Sequence, residues 1–328
     1  MAAAGAGMKP IFLLSLPRSG STLLQRMLAA HPRVATLPEP WVLIPPLYAL
    51  RKKGVFAEYN HGSLNEAVTD FVGALPHGEA DYFAAVRHFA ESLYGCVVTQ
   101  DKPYFLDKTP RYCFIANELI KVFPEAKYVL LWRNPVAVLS SRFHSFGNRW
   151  RWYNYKVDFY AGLNTLVEFA QQNRERIFTI NYETLVESPE TTLQGMLDYL
   201  ELDMQPALLH DFVKVNLQGR MGDKTGVNDY ATVADQPLSK WRETLCNPLR
   251  VQLARRMLRK VGDARLQCMG YDLDALLAEL DALPFGHHEL FSDLFRMGYG
   301  FLDELIEVGM IRKKLSMARS WSEVSVHR

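Results

Sequence analysis

Ile11-Phe-Leu-Leu-Ser-Leu-Pro-Arg-Ser-Gly-Ser-Thr-Leu-Leu-Gln-Arg-Met-Leu28 decides how the rest of the chain is read. Its first part, Ile11 to Leu16, is too short and too apolar for a surface helix and reads as a strand buried in a parallel sheet. Leu23, Leu24, Met27 and Leu28 recur at helical spacing. Between strand and helix stands Pro17-Arg18-Ser19-Gly20-Ser21-Thr22. That turn brings backbone N–H groups, hydroxyls and a guanidinium to a helix N-terminus, where an anion is favoured by the dipole and the unpaired amides. A nucleotide phosphate or a sulfate is the expected guest.

Working outward, Pro103 to Leu106 reads as a short strand ending in Asp107-Lys108-Thr109-Pro110, followed by a helical stripe at Ile115, Leu119, Ile120 and Phe123. Tyr128 to Trp132 is a strong buried strand. It stops at Arg133-Asn134-Pro135, where Asn134 can cap and Pro135 can open a helix running through Ser141. Ile177 to Ile180 is a further strand, leading into Asn181-Tyr182-Glu183 and, after Pro189, a helix with Leu193, Met196, Leu197 and Leu200 inward. Strands alternating with helices predict an α/β fold, a P-loop-like parallel sheet flanked by helices, with ligands at the carboxyl ends of the strands. Residues 47–100 read as helical insertions on the substrate side. The expected organisation is a flexible N-terminus (1–8), one α/β domain (9–285) and a helical C-terminal extension (286–328). That extension, with Leu290, Leu294, Met297, Phe301 and Leu305 near helical spacing, is expected to pack on the core, on a second subunit in a homodimer, or on a membrane surface.

With 328 residues and 48% hydrophobic content, the chain can bury a full core. Lys and Arg total 37 against 36 acids, so general attraction to nucleic acid or anionic membrane is not expected. Cys96, Cys113, Cys246 and Cys268 are scattered without metal-type spacing, and no metal is expected. No apolar run reaches membrane-helix length, and residues 1–7 lack the pattern of a signal peptide. A soluble cytoplasmic protein is the default.

The strand, turn and helix invite comparison with P-loop nucleotide hydrolases, and the differences are informative. Their GxxxxGK[ST] pattern needs a lysine before the final hydroxyl residue, and here Gly20 precedes Ser21. Where an aspartate would hold Mg²⁺ at the end of a neighbouring strand, Arg133 stands instead. An arginine cannot hold a cation but can clamp a phosphate bidentately. The sheet edge therefore offers two anion sites, one at Arg18 to Thr22 and one at Arg133 with Ser141.

In this combination the sequence resembles the sulfotransferases that use 3′-phosphoadenosine 5′-phosphosulfate (PAPS, released as the bisphosphate PAP). Leu16 to Leu23 looks like their 5′-phosphosulfate loop, and Arg133 with Ser141 looks like their 3′-phosphate motif. Further likeness points to the branch of tyrosylprotein and bacterial sulfotransferases: His31-Pro32 followed by Glu39, Lys108 after the second strand, Tyr182-Glu183, and Leu238-Ser239-Lys240-Trp241. The likeness covers roughly residues 9–245.

The resemblance implies Glu39 as general base, with Arg18 and Lys108 stabilising charge on the transferring group. It implies Ser19, Gly20, Ser21, Thr22 and Lys240 at the 5′-phosphate, Arg133 and Ser141 at the 3′-phosphate, and Tyr182 at the adenine face. Thr225 is a further hydroxyl candidate on spacing alone. Where the tyrosylprotein enzymes carry another arginine beyond the serine, this chain has Ser145, and Arg142 or Arg149 is the candidate substitute. His31 and His144 are competing bases. The tract Phe143 to Tyr155 reads as an acceptor cleft, as a surface for sugar or nucleic acid, or as an amphipathic packing segment. The acceptor is expected to be a small-molecule, sugar or peptide hydroxyl. A divergent P-loop kinase and a non-catalytic nucleotide-binding module are the alternative functions.

Overall fold

Alternation along each strand sends side chains to opposite faces, and in this chain both faces are apolar. The computed structural model describes residues 7–55, 57, 59–215, 217, 236–284 and 286–306. The side chains of 236–237 and 303–306 lie outside the description, as does Thr225.

The sheet holds β1 (Lys9–Ser15), β2 (Val34–Thr36), β3 (Tyr104–Asp107), β4 (Lys127–Trp132) and β5 (Ile177–Asn181). Its order is β2-β3-β1-β4-β5, and every pairing is parallel. Phe12, Leu14, Phe105, Leu130 and Trp132 enter the core on one face. Ile11, Leu13, Leu106, Val129 and Leu131 enter that on the other.

The second face is covered by α1 (Ser21–Ala29), then by later helices described below. The helices after β2 are α2 (Ile44–Ala49), α3 (His61–Gly73) and α4 (Glu79–Gly95), the insertion expected at 47–100. After β3 come a 3₁₀ turn, Pro110–Phe114, and α5 (Ala116–Val122). β4 leads to α6 (Pro135–Ser145), capped by the Asn134 side chain accepting from Val136 N–H, as its Asn-Pro start predicts. Next are α7 (Trp152–Val157), a π-turn at Asp158–Gly162 and α8 (Leu163–Gln172). α9 (Tyr182–Glu187) and α10 (Pro189–Leu200) follow β5, and Leu193, Met196, Leu197 and Leu200 of α10 are buried on the α1 face.

β2 is absent from the sequence reading. Three residues give no period, and the pairing of Val34 with Tyr104 and Thr36 with Leu106 makes the strand. Within Phe143 to Tyr155, the Phe143, Trp150 and Tyr155 side chains are buried in the core, the packing outcome.

Toward the end of the described chain stand α11 (Pro248–Val261) and α12 (Leu290–Ile306), with shorter helices at Asp263–Cys268 and Leu273–Asp281 between them. α11 and α12 are joined by a fully buried ion pair, Arg250 Nε to Asp293 Oδ2 at 2.6 Å. Arg250 also donates to Asn148 and to the Thr244 carbonyl, so α12 is tied to the segment that follows α6. Among the described residues no helix is long and apolar enough to cross a membrane.

Candidate active site

Strand order explains how motifs far apart in sequence meet. Reading across the sheet, the carboxyl ends are Thr36, Asp107, Ser15, Trp132 and Asn181. The residues just beyond those ends therefore lie in a row: the Glu39 segment, Lys108, the 17–22 turn, Arg133 and Tyr182. A cavity of about 320 Å³ opens there, lined among others by Arg18, Gly20, Ser21, Thr22, Glu39, Arg133 and Ser141.

The turn bends back through two left-handed residues, Arg18 (φ 75°) and Gly20 (φ 89°). Glycine is required at position 20 for a second reason. A Cβ there would stand 2.3 Å from Cδ2 of Tyr182. α1 starts with no side chain capping it and no acid in its first turn, so its N-terminal amides face the cavity end of the turn without a local carboxylate. Ser19 is buried, with its amide donating to the Leu16 carbonyl.

The two anion sites are joined directly. Arg18 Nε donates to Ser141 Oγ at 3.0 Å, and Arg133 Nη1 donates to the Arg18 carbonyl at 3.0 Å. The Arg133 guanidinium also lies 4.3 Å from the centre of the Tyr182 ring. Tyr182 is thus fully buried between Gly20 and Arg133 and does not line the cavity. One face of that ring is covered by the guanidinium.

Lys108 is 1% exposed, and its Nζ donates to Glu39 Oε1 at 3.0 Å and to Thr22 Oγ1 at 3.4 Å. The Trp41 indole donates to the other oxygen, Glu39 Oε2, at 3.3 Å. Both Glu39 (φ 32°) and Trp41 (φ 61°) have positive φ, unfavourable for residues with a Cβ and maintained by surrounding contacts.

Some residues escaped the sequence reading. Trp41 is one. Others are Arg111, which lines the cavity, and Asp158, whose carboxylate Arg111 shares with Arg142, Arg111 Nη1 at 3.3 Å from Oδ1 and Arg142 paired with Oδ2. Burial pushes the Asp158 carboxyl up despite the two guanidinium groups. No local pattern marks Asp158, which lies 47 residues beyond Arg111 in sequence. Of the two candidate substitutes for the missing arginine, Arg142 lies at the cavity and Arg149 is exposed and outside its lining.

Lys240 is exposed and does not line the cavity; it opens the short helix Trp241–Thr244 beside α6. Thr244 Oγ1 meets His144 Nε2 at 2.8 Å and accepts from Ser140 Oγ at 2.7 Å. Partial burial, then the charges of Lys240 and Arg250, hold the His144 imidazole below its ordinary value. His31 is committed elsewhere. Its Nδ1 accepts from the Arg33 amide, which leaves Nε2 to donate to the Asp203 carbonyl, and burial lowers its pKa. Neither histidine lines the cavity.

The sulfotransferase family model matches residues 10–206. The nodulation protein NoeE of Sinorhizobium fredii is 30% identical over 218 residues, covering 58% of this chain and 50% of that protein. Protein-tyrosine sulfotransferase 1 of Danio rerio is 28% identical over 212 residues, covering 61% of this chain and 55% of that protein. The chain thus spans about half the length of these relatives. Among solved structures, the sulfotransferase domain of the Synechococcus PCC 7002 olefin synthase is 24% identical, with a TM-score of 0.49 and coverage of 76% of this chain and 94% of that one.

Proposed function

Because the chain belongs to the sulfotransferase family, we propose that it transfers a sulfuryl group from PAPS to the hydroxyl of a small-molecule, sugar or peptide acceptor. The observation that carries this reading is the seat of Lys108 Nζ between Glu39 and Thr22. A fixed cation there stands where a base and an anion-binding turn meet.

The lining suits a polyanionic nucleotide. Arg18, Arg111, Arg133 and Arg142 face the cavity, and Glu39 is the one carboxylate among its described lining residues. Arg133 and Ser141 hold the 3′-phosphate in this reading, with Arg142 beside them. The amides and hydroxyls of Ser19 to Thr22 hold the 5′-phosphate at the start of α1 in this reading. Tyr182 acts from beneath, seating Gly20 and Arg133.

Sulfuryl transfer depends on in-line placement and on neutralising charge at the moving oxygens. The acceptor oxygen bonds to sulfur as the bond from sulfur to the bridging 5′-phosphate oxygen breaks. Glu39 takes the acceptor proton, and Trp41 and Lys108 orient its carboxylate. Lys108 and Arg18 offset the charge that develops on the departing oxygen and the sulfuryl group. No metal is required for any of these roles.

Calorimetric titration with PAP in EDTA, followed by turnover of labelled PAPS over a panel of phenols, alcohols and sugars, tests the reading. Metal-independent PAP binding with labelled product is expected. Preference for MgATP over PAP would indicate a kinase instead, and tight PAP binding with no turnover across the panel would indicate a nucleotide-binding module.

A further inference from the structure

Immediately before Lys108 stands a carboxylate for which the proposed chemistry has no use. Asp107 is 1% exposed and accepts three hydroxyl hydrogen bonds. Tyr94 donates to Oδ2 at 2.6 Å, Tyr112 to Oδ2 at 3.1 Å and Thr109 to Oδ1 at 2.9 Å. Two of these hydroxyls are relays. Thr109 Oγ1 accepts from the Trp41 amide at 3.4 Å, and Tyr112 Oη accepts from the Leu43 amide at 3.3 Å.

We propose that Asp107 is a positioning residue: through Thr109 and Tyr112 it fixes the 39–43 segment against the Lys108 turn, and so sets Glu39 in register with Lys108. The inference rests on the sulfuryl-transfer reading for its kinetic consequence and on hydrogen-bond logic for its structural one. An ionised carboxylate is acceptor-only, so each neighbouring hydroxyl must spend its proton on it. The hydroxyl oxygens are then left with lone pairs for the amides of residues 41 and 43. That directionality anchors the backbone on the far side of Glu39, where Glu39 and Trp41 hold unfavourable positive φ. An apolar residue at position 107 would pack as well in this interior but would leave Thr109 and Tyr112 without an imposed orientation. The charged or titratable groups facing Asp107 are Tyr94 from α4, Tyr112 from the following 3₁₀ turn, and Lys108.

Four full-length variants, Asp107→Asn, Tyr112→Phe, Thr109→Val and Thr109→Ser, test this. Amide hydrogen exchange across residues 39–43 is read alongside PAP affinity, kcat and the donor KM. Exchange at Trp41 to Leu43 is expected to rise in the first three and to stay near wild type in Thr109→Ser. PAP affinity is expected to hold within about twofold while kcat falls on the order of 10- to 100-fold, the scale of a small misplacement of reacting groups. Parallel losses of PAP affinity and kcat with unchanged exchange at 41–43 would overturn the inference, as would wild-type exchange and kcat in both Asp107→Asn and Thr109→Val. Tyr112→Phe and the Thr109 pair remove single hydrogen bonds and keep the test open should Asp107→Asn fold poorly. If the wild-type protein neither binds PAP nor turns over PAPS, the sulfuryl-transfer reading falls, and the exchange data still decide whether Asp107 anchors the segment.

Discussion

Lys108 Nζ lies 3.0 Å from Glu39 Oε1, across 69 residues of sequence. The pair is almost dry, with the lysine side chain 1% and the glutamate side chain 13% exposed. Burying an ammonium is unfavourable unless it is paired and hydrogen-bonded. Glu39 and Thr22 supply those partners, so the candidate base and the candidate charge stabiliser are interdependent. Removing either one alters the other's surroundings.

Glu39→Gln keeps the shape and a hydrogen-bonding amide but removes the proton acceptor. Turnover of labelled PAPS is expected to fall about 100-fold or more, with PAP affinity nearly unchanged, the pattern of a lost general base. Single-turnover kinetics with saturating donor read the chemical step directly. Wild-type kcat in this variant would remove Glu39 from the mechanism.

Arg133→Ala acts on binding first. It deletes a guanidinium that donates to the Arg18 carbonyl and covers the Tyr182 ring. The loss of charge-assisted bonds predicts a PAP dissociation constant raised roughly 10- to 100-fold, with a smaller change in kcat at saturating donor. Calorimetry with PAP checks it, and an unchanged affinity would count against a phosphate clamp at this position.

Gly20→Ala should be poorly tolerated. The residue sits at φ 89°, and the added methyl would stand 2.3 Å from the Tyr182 ring. Left-handed strain and overpacking together predict a loss of about 2–4 kcal/mol, measured by urea unfolding. Adding Tyr182→Ala should relieve the steric part of that loss while leaving the backbone strain. A fully stable Gly20→Ala protein that binds PAP normally would contradict the packing described for the turn.

Burial raises the Asp107 carboxyl from its ordinary 3.8 to about 6, against the opposing effect of its hydroxyl donors and Lys108. The folded state therefore holds this proton more tightly than the unfolded chain does. The sign follows: ionising Asp107 costs folding stability as pH rises from about 4 through about 6, and the penalty is complete above that window. Its size is roughly 3 kcal/mol by linkage. Asp107→Asn has no carboxyl to ionise here, so the wild type's stability relative to the variant should decline by up to about that amount between pH 4 and pH 7. Paired urea titrations at the two pH values measure it, and a pH-independent difference would argue against a raised carboxyl.

The sequence by itself determined the elements whose signal is local. β1, the 17–22 turn and α1 are written in contiguous apolar periodicity, and β4 with Arg133 and the Asn134-Pro135 start of α6 is equally self-contained. Arg18, Arg133 and Ser141 could be named because each stands beside such an element, Glu39 and Lys108 were named from the family resemblance, and the structure brings all five around one cavity or its wall. What only the tertiary structure decided depends on pairings between distant segments. β2 exists because β3 pairs with it. Tyr182, a strand-end aromatic in sequence, became a buried support because β5 lies next to β4 and brings its ring under Gly20. The Asp107 relay and the Arg111, Asp158 and Arg142 cluster likewise join residues from separate elements. A hydrogen bond's worth depends on burial and on the direction of its partner's lone pairs, and neither exists until the strands have chosen their neighbours.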